Sequence, residues 1–292
     1  MATAKRGLLL LNLGTPDSPE PNDVGRYLRE FLMDKWVIDI AKPLRWFLVN
    51  VLVIPKRKYA SGEAYKTIWG PRGSPLLNHL RDLAEKVRPL ATDFTHVEIA
   101  MRYGNPSIEK AIRAFRDGGV QELVVFPLYP QYAESSTRSS IEECKRIAAT
   151  VAPTMKLEFV RDFYEHPAFI RAYAEEVRKT FGDRMPDRLL LSFHGLPERH
   201  VKRTDASGSH CLQKKDCCAQ IVAANRECYR AQCFATTRAL ARELGLASEK
   251  VIVSFQSRLG RTPWIQPFTD VVIPGLPSGG VKSLVVACHL VV

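Results

Sequence analysis

His194 stands where a short apolar run meets residues that turn the chain. The run Leu189–Phe193 precedes it, and Gly195 and Pro197 follow it. Glycine and proline favour a turn, so the imidazole is expected to project from the end of a strand. Imidazole accepts a proton near neutral pH and also binds divalent metals. The spacing therefore fits a general base, a metal ligand, or a histidine satisfied by a local hydrogen bond.

Five of the seven cysteines are concentrated in one segment with the spacing C-x5-C-C-x9-C-x4-C. In a cytoplasmic chain the thiols stay reduced, so this concentration predicts a metal site rather than disulfides. Four thiolates suit either zinc or an iron–sulfur cluster. We predict Cys211, Cys218, Cys228 and Cys233 as the ligands, with Cys217 as the alternative, in a cysteine-rich insert at about residues 205–233.

The net charge and the apolar runs indicate which classes of partner the protein could bind and where in the cell it is expected. The 42 Lys and Arg against 31 Asp and Glu give a formal net charge of +11, which favours anionic partners. The basic residues are dispersed rather than gathered on one helix, so we predict no nucleic-acid binding. The apolar stretch Trp46–Pro55 is about half as long as a membrane-spanning helix. The opening run Leu8–Leu13 suits a buried strand better than a signal peptide, and we expect a cytoplasmic protein.

Short apolar runs alternate with amphipathic helical patterns along the whole chain. Continuous runs of this kind are typical of strands buried on both faces of a parallel sheet. The alternation predicts an α/β fold of two Rossmann-like halves, residues 1–165 and 166–292, with helices on both faces of each sheet and a cleft between the halves. The predicted strands are Leu8–Leu13, Val97–Met101, Leu123–Leu128, Lys156–Val160, Leu189–Phe193, Val251–Phe255 and Leu284–Cys288.

The segment Phe31–Lys58 is unusually apolar and ends in Lys56-Arg57-Lys58. One interpretation is a helix pair that covers the sheet. The other is an apolar lip with a basic rim that rests on the surface of a membrane, and a large flat ligand would need a similar lip.

Four motifs then stand in order along the chain, and together they resemble the ferrochelatase family from about residue 7 to about residue 288. They are Asn12–Pro16 (NLGTP), Tyr129–Tyr132 (YPQY) followed by Ser135–Thr137, Ser192–Pro197 (SFHGLP), and Ser254–Arg258 (SFQSR) with Thr262–Trp264 (TPW). The resemblance implies a lyase that inserts ferrous iron into protoporphyrin IX, the terminal step of haem biosynthesis. It leaves coproporphyrin open as the substrate.

The resemblance also assigns roles to individual residues. His194 matches the family histidine that accepts the pyrrole protons or holds the incoming iron. The positions that match porphyrin-contacting residues are Leu13, Arg26, Arg102, Tyr103, Tyr129, Tyr132, Ser136, Thr137 and Trp264. Several bacterial members hold a [2Fe-2S] cluster on cysteines of an internal segment, which favours iron–sulfur over zinc for Cys211–Cys233.

The end of the chain departs from the family pattern. Members continue into an acidic helix whose glutamate points at the same ring centre as the histidine, whereas this sequence stops at His289–Val292. We expect a truncated sequence, and therefore little chelatase activity from the 292 residues alone. The alternatives are a non-catalytic paralogue that binds porphyrin or haem, and a cobalt chelatase on the same scaffold.

Overall fold

A computed structural model describes residues 4–182, 184–258, 260 and 262–289 of the chain. Two compact units are present within this range. Unit 1 consists of the residues up to Tyr129 together with Glu134–Arg161, and unit 2 consists of Pro130–Ala133 and the residues from Asp162 onward.

Each unit is built on a parallel sheet, as the apolar runs predict. The sheet of unit 1 has the strand order β2-β1-β3-β4, and that of unit 2 has the order β6-β5-β7. The strands are β1 (Arg6–Thr15), β2 (His96–Gly104), β3 (Glu122–Pro127), β4 (Lys156–Phe159), β5 (Arg188–His194), β6 (Val251–Gln256) and β7 (Leu284–His289). All seven predicted strands are confirmed, because a strand buried on both faces gives a continuous apolar run.

Helices connect these strands and cover the sheets. Those of unit 1 are α1 (Pro21–Leu32), α2 (Lys42–Phe47), α3 (Ile54–Ile68), α4 (Pro75–Val87), α5 (Ile108–Asp117) and α6 (Ser139–Val151). Those of unit 2 are α7 (Pro167–Phe181), α8 (Glu198–Arg203), α9 (Tyr229–Leu244) and α10 (Thr269–Gly275). Two π-helical stretches, Leu48–Val53 and Glu134–Arg138, lead into α3 and α6.

The central strand of unit 1 is buried on both faces. Leu9 and Leu11 of β1 pack into a core with residues of α5 and α6. Leu8 and Leu10 point the other way and pack with residues of α4. This alternation follows from the two-residue period of a strand, and it places the carboxyl end of β1 between two helical layers.

The central strand of unit 2 is β5, which ends at His194. Leu189, Leu191 and Phe193 belong to the main core of this unit, together with residues of α7 and α9. On the opposite face, the Ser192 hydroxyl lies 2.9 Å from the hydroxyl of Thr269 at the start of α10. Because ligands of open parallel sheets bind at the carboxyl ends of strands, this placement puts His194 where such a ligand would bind.

Helices α2 and α3, with the π-helical stretch between them, present apolar side chains to solvent. We call Leu44, Trp46, Phe47, Val51, Leu52 and Tyr59 the apolar face; between 45% and 58% of each is exposed. The segment therefore presents an exposed apolar lip, and its contact with a membrane surface stays a prediction. Within the part of the chain that the structure describes, no helix is both long and apolar enough to cross a membrane.

Candidate functional site

The turn that carries His194 is fastened to the neighbouring strand through the backbone. His194 pairs with Gln256 in the register of β5 and β6, and the Gly195 amide donates to the Gln256 carbonyl oxygen at 2.7 Å. A Cβ atom at Gly195 would lie 2.8 Å from that oxygen. Only glycine therefore allows this approach without a shift of the backbone.

A second segment closes on the same turn. The Ile265 amide donates to the Leu196 carbonyl at 3.0 Å, and Pro197 and Trp264 form an isolated β-bridge. The motif SFHGLP is thus in direct contact with SFQSR and TPW, which lie about 60 residues further along the sequence. Trp264, which was predicted to contact the porphyrin, therefore lies beside the turn that carries His194.

The His194 imidazole is half-buried, and burial lowers the pKa of the ring below its usual value. A lowered pKa keeps the imidazole neutral at pH 7. A neutral ring has a free lone pair, so it can accept a proton or bind a cation.

The lowered pKa of His194 predicts the pH at which activity is lost on the acid side of the pH profile. If catalysis requires neutral His194, kcat/KM falls as the pH drops through the lowered pKa, so the limb lies below pH 6.5, the usual histidine value. The measurement is kcat/KM for metal insertion between pH 5 and 9. A limb at or above pH 6.5 that disappears in His194→Asn would contradict the lowered pKa, and a limb that persists in His194→Asn would contradict the assignment to His194.

In unit 1, the carboxyl end of β1 makes an equally tight approach. Gly14 has φ = 137°, and a Cβ there would lie 2.1 Å from the Tyr103 carbonyl oxygen. The preceding Leu13 is buried, and its amide donates to the Asn12 side chain at 2.7 Å. The NLGTP motif thus fixes Leu13 at the strand end, where the resemblance places a porphyrin contact.

Arg102 and Tyr103 take part in a buried polar network around Asp34. The Arg102 Nη2 donates to the Asp34 carboxylate at 2.7 Å, and the Tyr103 hydroxyl donates to the same oxygen at 2.7 Å. Ser139 also donates to this oxygen and accepts from Arg102 Nε at 2.7 Å. The guanidinium is therefore already paired within unit 1, and its predicted contact with a porphyrin propionate stays a prediction.

The other predicted cation, Arg26, is exposed on α1. It forms an ion pair with Asp23, and its Nη2 lies 3.8 Å from Asp17. Exposure leaves this guanidinium accessible to an anionic ligand, although the two carboxylates offset part of its charge.

The predicted loop Tyr129–Thr137 is divided between the two units. Tyr129 is buried in unit 1, with its hydroxyl 3.3 Å from Ser140. Tyr132 belongs to unit 2, where its amide donates to the Gln232 side chain at 2.6 Å. Ser136 and Thr137 are buried in unit 1, and their hydroxyl oxygens have no hydrogen-bond partner among the described residues. The structure thus shows all four residues buried, and their contact with a macrocycle stays a prediction.

Two cavities lie at strand ends. One of about 650 Å³ in unit 1 includes Pro16 and Asp17 after β1, and Asn105 and Pro106 after β2. One of about 560 Å³ in unit 2 includes Gln256, the partner of His194 in the sheet. Both are at the edge where parallel sheets bind ligands.

The five clustered cysteines are all buried free thiols in unit 2. The Cys217 and Cys218 sulfurs are 3.8 Å apart. The Cys228 thiol lies beside that of Cys211, which is the main cause that raises the pKa of Cys228 to about 12, and Cys228 is also beside Cys218. Cys228 is thus beside both Cys211 and Cys218, and Cys218 is beside Cys217, so these four sulfurs follow one another as neighbours. Cys233 lies five residues after Cys228 on α9.

Backbone and side-chain donors point at these sulfurs. The Leu212 and Ala231 amides donate to Cys217 and Cys228 at 3.4 Å each, and Arg230 donates to Cys218 at 3.0 Å. Donors of this kind stabilise thiolates that bind metal. Within the described ranges, no three His, Cys, Asp or Glu side chains converge as ligands of a single metal ion would.

Comparison with known proteins decides the family. The sequence model of ferrochelatase matches residues 5–289. The chain belongs to the ferrochelatase family. The ferrochelatase of Azotobacter vinelandii is 45% identical over 282 residues, which is 96% of this chain and 82% of that protein. The ferrochelatase of Coxiella burnetii strain Dugway is 40% identical over 284 residues, covering 97% of this chain and 79% of that protein.

A solved structure shows the same fold. SirB from Bacillus subtilis with Fe3+ superimposes with a TM-score of 0.51 at 14% identity, over 98% of this chain and 77% of that one. Membership of the ferrochelatase family and the chelatase fold, both predicted from the four motifs and the alternating runs, are thus confirmed.

The residues that hold the cysteine segment of this ferrochelatase-family chain were not predicted. Asp205 accepts from the Ser207 amide at 2.9 Å and from the His210 and Cys211 amides at 2.7 Å each. Asn225 donates to the Cys217 carbonyl at 2.8 Å. The Asp205-x-Ser207 spacing is typical of an Asx turn, and this signal could have identified Asp205.

Proposed function

We propose that this chain inserts ferrous iron into protoporphyrin IX to form haem. The observation that carries the proposal is the contact of the His194 turn, at the carboxyl end of β5, with two other motifs, SFQSR and TPW. Membership of the ferrochelatase family supports the reaction class.

The chemistry of insertion matches the properties of this histidine. Two pyrrole N–H protons must leave before iron can bind the four ring nitrogens. A neutral imidazole of lowered pKa can accept a proton at pH 7. It can also hold the incoming ferrous ion, because imidazole is a good ligand for iron. A pocket that binds a bent ring better than the planar substrate lowers the barrier further.

Anaerobic mixing with protoporphyrin IX and Fe2+ tests the activity. Iron insertion moves the Soret band from that of the free porphyrin to that of haem, whereas binding alone leaves the metal-free visible spectrum in place. Cobalt in place of iron tests the alternative metal. Bound porphyrin without insertion of either metal would contradict the proposal for these 292 residues and would agree either with the low activity expected of a truncated sequence or with a porphyrin carrier. Insertion of cobalt alone would favour a cobalt chelatase.

We also propose a [2Fe-2S] cluster in the cysteine segment. The support is the group of four neighbouring sulfurs, Cys211, Cys217, Cys218 and Cys228, with the N–H donors that point at them. A cluster of this kind is held by four thiolates. Cys211, Cys218 and Cys228 are common to both possible ligand sets. The 3.8 Å separation from Cys218 favours Cys217 over Cys233 as the fourth. A bound cluster would supply a site that exchanges one electron.

Serine variants distinguish Cys217 from Cys233 as the fourth ligand of the cluster. Cys217→Ser is expected to lose most of the iron–sulfur absorbance after anaerobic reconstitution, because serine is a poor ligand for soft metal centres. Cys233→Ser, the matched control on α9, should retain it. Visible absorbance and iron content per chain are the measurements. The reverse result would assign Cys233, and full retention in both would contradict the ligand set.

Finally, we propose that the apolar face contacts the surface of an anionic membrane. Its large side chains are exposed, and Lys56, Arg57 and Lys58 lie on α3 between Leu52 and Tyr59 of this face. Apolar insertion and attraction of basic residues to anionic lipid together give interfacial binding.

Removal of one large side chain from this face should weaken the binding. Trp46→Ala is expected to reduce partitioning onto vesicles that contain phosphatidylserine by about tenfold or more, since burial of a large apolar side chain contributes roughly 1.5–3 kcal/mol. Leu90→Ala is the control, because Leu90 is 81% exposed but lies outside the face. Co-sedimentation measures both, and equal partitioning of the two variants would contradict the proposal.

A further inference from the structure

Arg230 is the second residue of α9 and lies between two parts of unit 2. Its Nη1 donates to the Cys218 sulfur at 3.0 Å, and its Nε donates to the Gln266 carbonyl oxygen at 3.1 Å. The guanidinium carbon lies 4.8 Å from the centre of the Phe234 ring. One side chain thus contacts a cysteine of the sulfur group and the backbone of a distant segment, and an aromatic face holds it in place.

The contacted segment is the one that closes on the histidine turn. Gln266 follows Ile265, whose amide donates to the Leu196 carbonyl at 3.0 Å. Trp264 bridges to Pro197, and its ring would lie 3.3 Å from a Cβ at Gly195. Three hydrogen bonds and the chain between Ile265 and Gln266 therefore connect the Cys218 sulfur to the turn that carries His194.

We propose that Arg230 is a positioning residue that couples the state of the cysteine site to the His194 turn. The inference rests on the cluster proposed above. A cationic donor at a ligand sulfur stabilises the more negative, reduced form of a cluster. The strength of the Arg230 contact with Cys218 then changes with reduction. The same rigid guanidinium plane holds Gln266, so the change reaches the segment of Trp264 and Ile265.

Arginine is suited to this task because its planar fork donates in two fixed directions at once. Lysine keeps the charge but presents a single compact ammonium group, and glutamine has no charge. The two replacements therefore separate the electrostatic effect on the cluster from the connection to Gln266.

The experiment uses the full chain after anaerobic reconstitution, with dithionite supplying the one electron that reduces the cluster. The first readout is the midpoint potential, followed by electron paramagnetic resonance. The second is hydrogen–deuterium exchange of peptides that contain Ile265, compared between the oxidised and reduced forms. The control is Arg242→Gln, which removes an exposed arginine three turns further along α9.

In the unmodified chain, exchange at Ile265 should differ between the two forms by roughly 2- to 30-fold, the range of coupling between connected sites. Arg230→Gln should lower the midpoint potential and abolish this difference. Arg230→Lys should keep the potential near that of the unmodified chain but lose the difference. Arg242→Gln should change neither readout.

Two other results are distinguishable. If the unmodified chain takes up no iron–sulfur cluster, the cluster proposal fails and this inference fails with it. If the cluster forms, but Arg230→Gln leaves the potential or the exchange difference unchanged, this inference alone is overturned.

Discussion

Replacement of His194 by alanine is expected to lower kcat for iron insertion by about 10²- to 10⁴-fold, the usual contribution of a positioned general base. Binding of the porphyrin should change much less, because the turn is fastened by the backbone of Gly195 and Leu196 and not by the imidazole. The measurements are the initial rate of haem formation and quenching of tryptophan fluorescence by the porphyrin.

The control for this variant is His79→Ala, because His79 is an exposed histidine on α4. It should retain the activity of the unmodified chain. A His194→Ala variant that inserts iron within about threefold of that activity would show that another group accepts the protons. A variant that fails to bind porphyrin at all would instead assign His194 to the binding of the substrate.

Replacement of Arg102 by methionine is expected to lower the free energy of unfolding by about 3–5 kcal/mol. The substitution leaves the Asp34 carboxylate without its cation in a site where Arg102 and Asp34 side chains are only 11% and 4% exposed. Urea denaturation followed by tryptophan fluorescence is the measurement, since unit 1 contains three of the four tryptophans. Arg113→Met, which removes an exposed pair on α5, should cost less than about 0.5 kcal/mol.

A double variant identifies the cause of that loss. Arg102→Met combined with Asp34→Asn should be more stable than Arg102→Met alone, because the amide carries no charge to bury. If the double variant is less stable than the unmodified chain by the sum of the two separate losses, the uncompensated charge is not the source. The hydrogen bonds of Tyr103 and Ser139 would then carry the stability of the network.

The strands could be predicted from the sequence because burial on both faces leaves a continuous apolar run. Leu8–Leu11 alternate between two cores, and neither face requires a polar residue. The position of His194 followed from the same run, since Gly195 and Pro197 mark its end. The contact of SFHGLP with SFQSR and TPW was predictable only through the resemblance to the ferrochelatase family. Hydrogen bonds between segments about 60 residues apart leave no local pattern in the sequence.

The polar network of unit 1 was not predictable for the same reason. Asp34 is 68 residues from Arg102 and 105 residues from Ser139 in the sequence, and nothing beside it marks it as buried. The sequence suggested Arg102 as a contact for a propionate, because an arginine after a strand resembles a ligand-binding group. The structure shows that Arg102 also neutralises the buried Asp34 carboxylate. Composition alone cannot distinguish an arginine that pairs with an internal carboxylate from one that binds a propionate.

The side chains around the His194 imidazole can be replaced without loss of the contacts that hold its turn. Its fastenings are main-chain groups: the Gly195 amide, the Leu196 carbonyl and the Pro197–Trp264 bridge. Side chains at Leu196, Ser257 or Thr262 can therefore be exchanged while the backbone keeps the imidazole in place. To accommodate another metal or macrocycle, the side chains around the imidazole can be varied while the backbone of the turn is left unchanged. Gly195 is the residue of this turn that should not be replaced.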